Sequence, residues 1–322
     1  MALSHTGRRV AGGKEPAASP CLKAAIAVHG GILSGLFFIV SYCQAQPPPR
    51  LVISAGTGWE TEDLHWSIAG RADGTGPDVL SELKWKSVSG PLTQLDLDAK
   101  IRSRLSVSAH YGRQFTVAGH VTDRDYQGDH RTRRTYDGRF AANRGVGSDA
   151  ALFLSWQLTP IESSFCARLG AGFHYRGGRL TLRDPGGPFS SLHSRYDYRW
   201  EGPAVALDVL VAPPGKSRLR ASVSYCQAVY RAKADWNLIT TFAHPVSFAQ
   251  DARGFLLGLG TVYTFRISSV FGISAAASTV IGKTGIGRDH LYLQDGDSDG
   301  TRLNGVGMGN LEAHLSLQYD FH

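Results

Sequence analysis

Four groups of residues in this 322-residue chain have the types and spacing that chemistry requires. Asp295-Gly296-Asp297-Ser298-Asp299-Gly300 matches the opening of a calcium-binding loop. That pattern needs a bidentate Glu at its twelfth position, where Val306 stands, so a polar turn is the competing reading. Arg131, Arg133, Arg134 and Arg139 gather guanidinium forks that suit phosphate oxygens, or else form a solvated loop. Asp96 and Asp98 alternate with leucines, and Arg168, His174 and Arg176 alternate with Leu169, Phe173 and Tyr175, so charges of both signs share one side of extended segments. Arg231, Lys233, Asp235 and Asn237 likewise alternate with Tyr230, Ala232, Ala234 and Trp236. There is no Walker loop, no GxSxG elbow and no zinc spacing, so neither a cofactor nor a metal is expected. Cys166 and Cys226 carry no CxxC spacing and fall on non-adjacent strands, which argues against their pairing.

The elements that must position these groups are strands. Leu311, Ala313, Leu315, Leu317, Tyr319 and Phe321 alternate with Asn310, Glu312, His314, Ser316, Gln318 and Asp320. Similar period-two runs recur from residue 50 onward, and no helix-period segment interrupts them. Connections fall into two alternating classes. Short ones lie near 102–104, 159–164, 213–216 and 266–269; long polar ones cover about 70–78, 123–148, 182–197, 238–252 and 281–306. Five long and four short connections predict an all-β, up-and-down antiparallel transmembrane β-barrel of about ten strands, with apolar residues toward lipid and polar ones in the lumen. Two shifts of phase, between Tyr225 and Tyr230 and at Gly202-Pro203, predict bulges that turn Arg231, Lys233, Asp235 and Asn237 inward and keep Arg199, Glu201 and Asp208 inward. Trp59, Trp66, Trp156, Tyr198, Trp200, Tyr225, Tyr263, Tyr319 and Phe321 are candidates for interfacial girdles. Glycine at about 12% of residues, against a usual ~7%, suits a narrow lumen in which small residues face large ones.

Ahead of the strands, Arg8, Arg9, Lys14 and Lys23 precede an apolar run from Ala24 to Tyr42, and Cys43 and Ala45 place small residues before Gln46. Residues 1–45 therefore read as an export signal peptide, a retained anchor being the alternative, with residues 46–322 as the barrel domain. Export argues against nucleic acid as a partner. The formal net charge of +7 falls to +4 on removal of those 45 residues.

The stretch Leu80-Ser81-Glu82-Leu83-Lys84-Trp85-Lys86, the segment Val121-Thr122-Asp123-Arg124-Asp125-Tyr126 and the ten-strand spacing resemble the omptin superfamily of outer-membrane barrels. Closer still, Tyr230 to Leu238 followed by Phe242-Ala243-His244-Pro245 and Ser247-Phe248 resembles the Protochlamydia outer membrane protein family, omptin-like barrels regarded as porins. Omptin proteases set an aspartate pair across a groove from an aspartate–histidine pair, with the attacking water between them. By that resemblance Asp123 and Asp125 match the first pair and Asp235 the aspartate of the second, but the histidine position is Asn237, and an amide is no base near neutral pH. His244 lies seven residues further on, away from the family spacing, and strict alternation from Leu105 leaves Asp123 in the lipid-side phase unless a bulge intervenes or it stands above the membrane.

These observations together lead to an expected function: a porin-like or structural surface protein of the bacterial outer membrane, with extracellular loops and periplasmic turns. A cell-surface aspartate-dependent endopeptidase using Asp123, Asp125 and Asp235 is the alternative. Outer-membrane lipid is the expected partner, with lipopolysaccharide phosphates facing the arginine cluster. Gln318-Tyr319-Asp320-Phe321 resembles the aromatic C-terminal signal of such barrels, which implies insertion by barrel-assembly machinery.

Overall fold

Period-two alternation commits nearly every segment to extended backbone, and the computed structural model, which describes residues 49–160, 165–213 and 215–322, joins these segments into one closed antiparallel sheet. The strands are β1 (Leu51–Ile68), β2 (Ser81–Lys100), β3 (Leu105–Thr116), β4 (Ala118–Gly128), β5 (Thr132–Ala141), β6 (Gly145–Gln157), β7 (Phe165–Arg183), β8 (His193–Val211), β9 (Ser217–Asp235), β10 (Phe248–Arg266), β11 (Phe271–Thr284), β12 (Gly287–Tyr292) and β13 (Ser298–Phe321). Three interruptions divide single barrel staves, so β3 with β4, β5 with β6, and β11 with β12 each form one of ten. Closure comes from β1, which pairs β2 on one side and β13 on the other. Residues 1–48, which include the expected export segment, and residues 161–164 and 214 lie outside the described residues.

Strands β7 to β10 have 19 residues each, whereas about 9–11 cross lipid at a ~45° tilt. Roughly half of each stave therefore stands clear of the membrane, and most of what reads as long loop is strand. Only short connections remain at the top, around 69–80, 129–131, 184–192, 236–247 and 293–297.

The lower half wears its apolar residues outside. Leu95, Leu154, Leu169, Val223, Leu311 and Leu315 are each exposed on more than a third of their surface, as an isolated chain must show where lipid would cover it. The upper half is built the other way. Leu64, Trp66, Leu83, Trp85, Val121, Tyr196, Trp200 and Tyr230 are almost fully buried in one cluster inside the barrel. Water surrounds this half, so its apolar side chains pack inward as in any soluble barrel.

That inversion corrects the two predicted bulges. Register runs unbroken along β9 against β10, and on both sides of Gly202-Pro203 along β8. Even-numbered residues of β8 and β9 face inward throughout; what changes is which face is apolar. Arg231 and Lys233 consequently lie exposed on the outer wall rather than in the lumen, and Asp235, Arg199 and Glu201 share that outer face. Trp66, Tyr198 and Trp200 belong to the inner core rather than to a girdle, while Trp59, Trp156, Tyr225, Tyr263 and Phe321 do face outward.

Candidate functional site

The lower lumen is filled by charge. Arg176 reaches Glu60, lies 2.7 Å from Glu62 and 3.4 Å from Asp149, and Asn310 donates to Glu60 at 2.8 Å. His174 and His110 flank Asp149 at 3.0 and 3.6 Å, and His110 also meets Asp96 at 2.7 Å. Nearer the turns, Asp98 holds Arg168 at 2.8 Å and Arg220 at 3.4 Å, while Asp320 faces Arg218 and Arg266 at 3.5 and 3.7 Å. Asp96, Asp98, Arg168, His174 and Arg176 thus sit together in the lumen. Opposite charges held this closely and away from water satisfy one another.

Above this layer the interior turns aromatic. The Tyr196 ring lies 5.0 Å from Trp85 and 6.1 Å from Trp66, and Trp200 lies 4.7 Å from Tyr230. A polar thread crosses the core from Tyr230 to Tyr196, whose hydroxyl donates to Gln250 Oε1 at 2.6 Å, and Gln250 in turn donates to Asp289 at 2.8 Å. Burial pushes the Asp289 carboxyl up to about 6.

Asp123 and Asp125 stand at the upper edge of that core. Two irregularities put them there. On β2, Ser87 takes a left-handed φ of 52°, and Asp63 clamps the bulge by accepting from the Ser87 N–H at 2.7 Å and from Lys86 at 2.6 Å. Between β3 and β4 the phase reverses at Val117, followed by Gly119 with φ 141°, where an added Cβ would press on Val88 and on the Ala142 carbonyl. After the reversal Val121 pairs Trp85 and Asp123 pairs Leu83, so Asp123 shares the inner face with buried core residues. No cation pairs with either carboxylate among the described residues. Burial, then the neighbouring Asp125, pushes Asp123 up to about 7, and burial also raises Asp125. The Tyr136 phenol is raised by burial and by both aspartates.

Asp235 ends β9 on the opposite face of the wall. It pairs Arg195 in register, 3.4 Å from that guanidinium, while its neighbour Ala234 faces the core beside Tyr196. His244 folds back from the following loop and sets its Nδ1 2.7 Å from Asp235 Oδ1. An imidazole does join this aspartate, therefore, seven residues beyond the family spacing, and spacing alone gave no signal for it. Asn237 clasps the loop instead: its Oδ1 accepts from the His193 N–H at 2.9 Å and the Ser194 hydroxyl at 3.0 Å, and its amide donates to the Ser191 carbonyl. The two halves of the expected catalytic set lie on opposite faces of the barrel wall, on strands four staves apart.

The remaining motifs resolve simply. Asp295 and Asp299 accept backbone N–H groups of Asp297 and Gly300, which closes the β12–β13 hairpin, and no group of three potential metal ligands occurs among the described residues. Arg131 pairs Glu82 and Arg134 pairs Asp137, while Arg133 and Arg139 stay exposed.

A family model described as "Protochlamydia outer membrane protein" matches residues 54–305. The fold is similar to that of the outer-membrane protease OmpT from Escherichia coli, with a TM-score of 0.68 at 12% identity over 88% of this chain and 99% of that one. The outer-membrane protein OprG from Pseudomonas aeruginosa aligns with a TM-score of 0.37 at 12% identity, over 87% of this chain and 100% of its own. No curated protein matches the sequence. The OmpT likeness carries the architecture alone.

Proposed function

Since this chain belongs to the Protochlamydia outer membrane protein family and is an outer-membrane β-barrel, we propose that it works as a closed-lumen surface barrel whose outer wall and rim, rather than a pore or an omptin-type active site, carry its function. The observation that carries this reading is the double filling of the interior. Ion pairs occupy the lower lumen and an aromatic core occupies the upper one, with Trp85, Trp200, Tyr196 and Tyr230 at 0% exposure. A barrel only slightly wider than eight strands leaves side chains enough volume to do this. Reconstitution in planar bilayers tests it: a silent membrane is expected, and a steady ohmic conductance would overturn the reading.

Asp123, Asp125, Asp235 and Asn237 form a vestigial omptin-like set on this account. A water cannot be bridged by carboxylates and an imidazole that occupy different faces of a sheet. Purified protein should leave basic peptides uncleaved; cleavage that disappears in Asp123→Ala would restore the endopeptidase alternative.

The outer wall above the lipid band is basic. Arg199, Arg231, Arg253 and Lys283 surround Glu201 and Asp251 on β8 to β11, and Lys84, Lys86, Arg124 and Arg139 occupy β2, β4 and β5. Guanidinium forks at this height suit lipopolysaccharide phosphates. Insertion by the barrel-assembly machinery through Gln318–Phe321 fits their position beside Leu51–Ser54 at the short-turn end of the barrel.

A further inference from the structure

We propose that the periplasmic end of the β6–β7–β8 wall is a seat for one anionic glycerophospholipid, its acyl chain in an apolar groove and its phosphate on the arginines of the adjoining turn.

The groove lies on the outer face between Leu154, Trp156, Leu169 and Val205, with Ala171 and Gly170 as its floor and Leu105 at its lower end. It arises from register. Ala171 stands in a cross-strand row between Leu154 and Val205, and the next row toward the turns places Leu169 beside Trp156. A one-carbon side chain between larger neighbours leaves a furrow in this part of the wall. Its volume of about 260 Å³ exceeds the ~150 Å³ apolar cavity that admits benzene, and its lining is almost wholly hydrocarbon. Such a furrow within the lipid band holds chain methylenes rather than water.

The headgroup end is equally specific. Arg104 immediately precedes Leu105, and its carbonyl accepts from the Gln157 N–H at 2.8 Å, which fixes the turn beside Trp156. Arg102 lies two residues earlier in the same turn. Both are exposed, and neither carries an ion pair or a side-chain hydrogen bond among the described residues. Exposed guanidinium groups in the turn that leads into Leu105, at the lower end of the furrow, complement a phosphodiester that bears negative charge. The short turns face the periplasm, so the occupant comes from the phospholipid leaflet, at the end of the barrel opposite to the basic outer wall described above.

Native mass spectrometry of the detergent-solubilised full chain, titrated with phosphatidylglycerol or phosphatidylethanolamine, tests the seat. The wild type should retain one phosphatidylglycerol at several-fold lower lipid concentration than phosphatidylethanolamine. Arg102→Gln with Arg104→Gln should abolish that preference, and Ala171→Phe, which fills the furrow, should abolish retention of both lipids. Unchanged heat-modifiable migration in gels verifies that each variant is folded. Folded variants that retain phosphatidylglycerol as the wild type does, or a wild type that binds the two lipids equally, would overturn the proposal. Trp156 supplies a second readout in nanodiscs: dibromo-phosphatidylglycerol should quench its fluorescence more than dibromo-phosphatidylethanolamine in the wild type and equally in the double arginine variant. Equal quenching in the wild type would also overturn it.

Discussion

The lower and upper halves of this barrel are made from the same ten staves and the same inner and outer faces, yet they obey opposite packing rules. Below, Arg176, Glu60, Glu62 and Asp149 lie inside while leucines face out; above, Trp85, Trp200 and Tyr196 lie inside while Arg231 and Lys233 face out. Along β7 to β10 the backbone does not distinguish the halves. Solvent does, because hydrocarbon outside a wall removes the reason to hide apolar surface and makes any exposed charge costly. A single stave such as β9 therefore carries two sequence patterns in one unbroken register.

The largest effects should come from emptying either interior. Arg176→Ala leaves the buried Glu60 and Glu62 without their cation and should cost about 3–5 kcal/mol in denaturant unfolding of the micelle-embedded protein. Trp200→Ala removes the centre of the aromatic layer at a similar cost of about 3–5 kcal/mol, but its damage should be confined to the upper half. Limited proteolysis separates the two, since Trp200→Ala should expose cleavage sites above the membrane while the lower barrel stays protected.

One substitution type placed at two heights sharpens the contrast further. Leu315→Arg, on the lipid face, should destabilise by about 2–4 kcal/mol in liposomes. Val229→Arg, on the outer face above the membrane, should stay within about 0.5 kcal/mol of the parent. Equal costs at the two positions would place both in the same solvent.

How much of this was legible in the sequence follows from the same contrast. The alternation, the ten staves and the lumen position of Asp96, Arg168 and Arg176 can be read from period two alone, because the lower half obeys one rule. The upper half was misread for a physical reason. A change in which face is apolar looks the same whether the strand bulges or its surroundings change, and at Tyr225 to Tyr230 the surroundings change. Backbone irregularities lie instead at Ser87 and at Val117–Gly119, marked by a left-handed serine and a glycine at positive φ. The approach of His244 to Asp235 had no local signature, since a loop return depends on tertiary packing.

The smallest expected effect is a local pH response of the upper half. Asp123, pushed up to about 7, favours its neutral form in the folded protein, so its stabilising contribution is fullest in acid, below the ordinary carboxylate range. That contribution is lost as pH rises through about 7. Hydrogen exchange in β4 and β5 should accordingly be slower at pH 5 than at pH 8 after correction for intrinsic rates, and Asp123→Asn should shrink the difference, leaving the part due to Asp125.

The central claim, that one unbroken strand changes solvent rather than direction, is tested most directly by a cysteine scan of β9 in a background with Cys166 and Cys226 replaced by alanine. Spin labels at 219, 221, 223 and 225 should collide with oxygen dissolved in lipid, labels at 231, 233 and 235 with a water-soluble relaxant, and labels at even positions from 222 to 234 with neither. A reversal of parity between 225 and 230, with residues 231 and 233 protected and their neighbours accessible, would contradict the account.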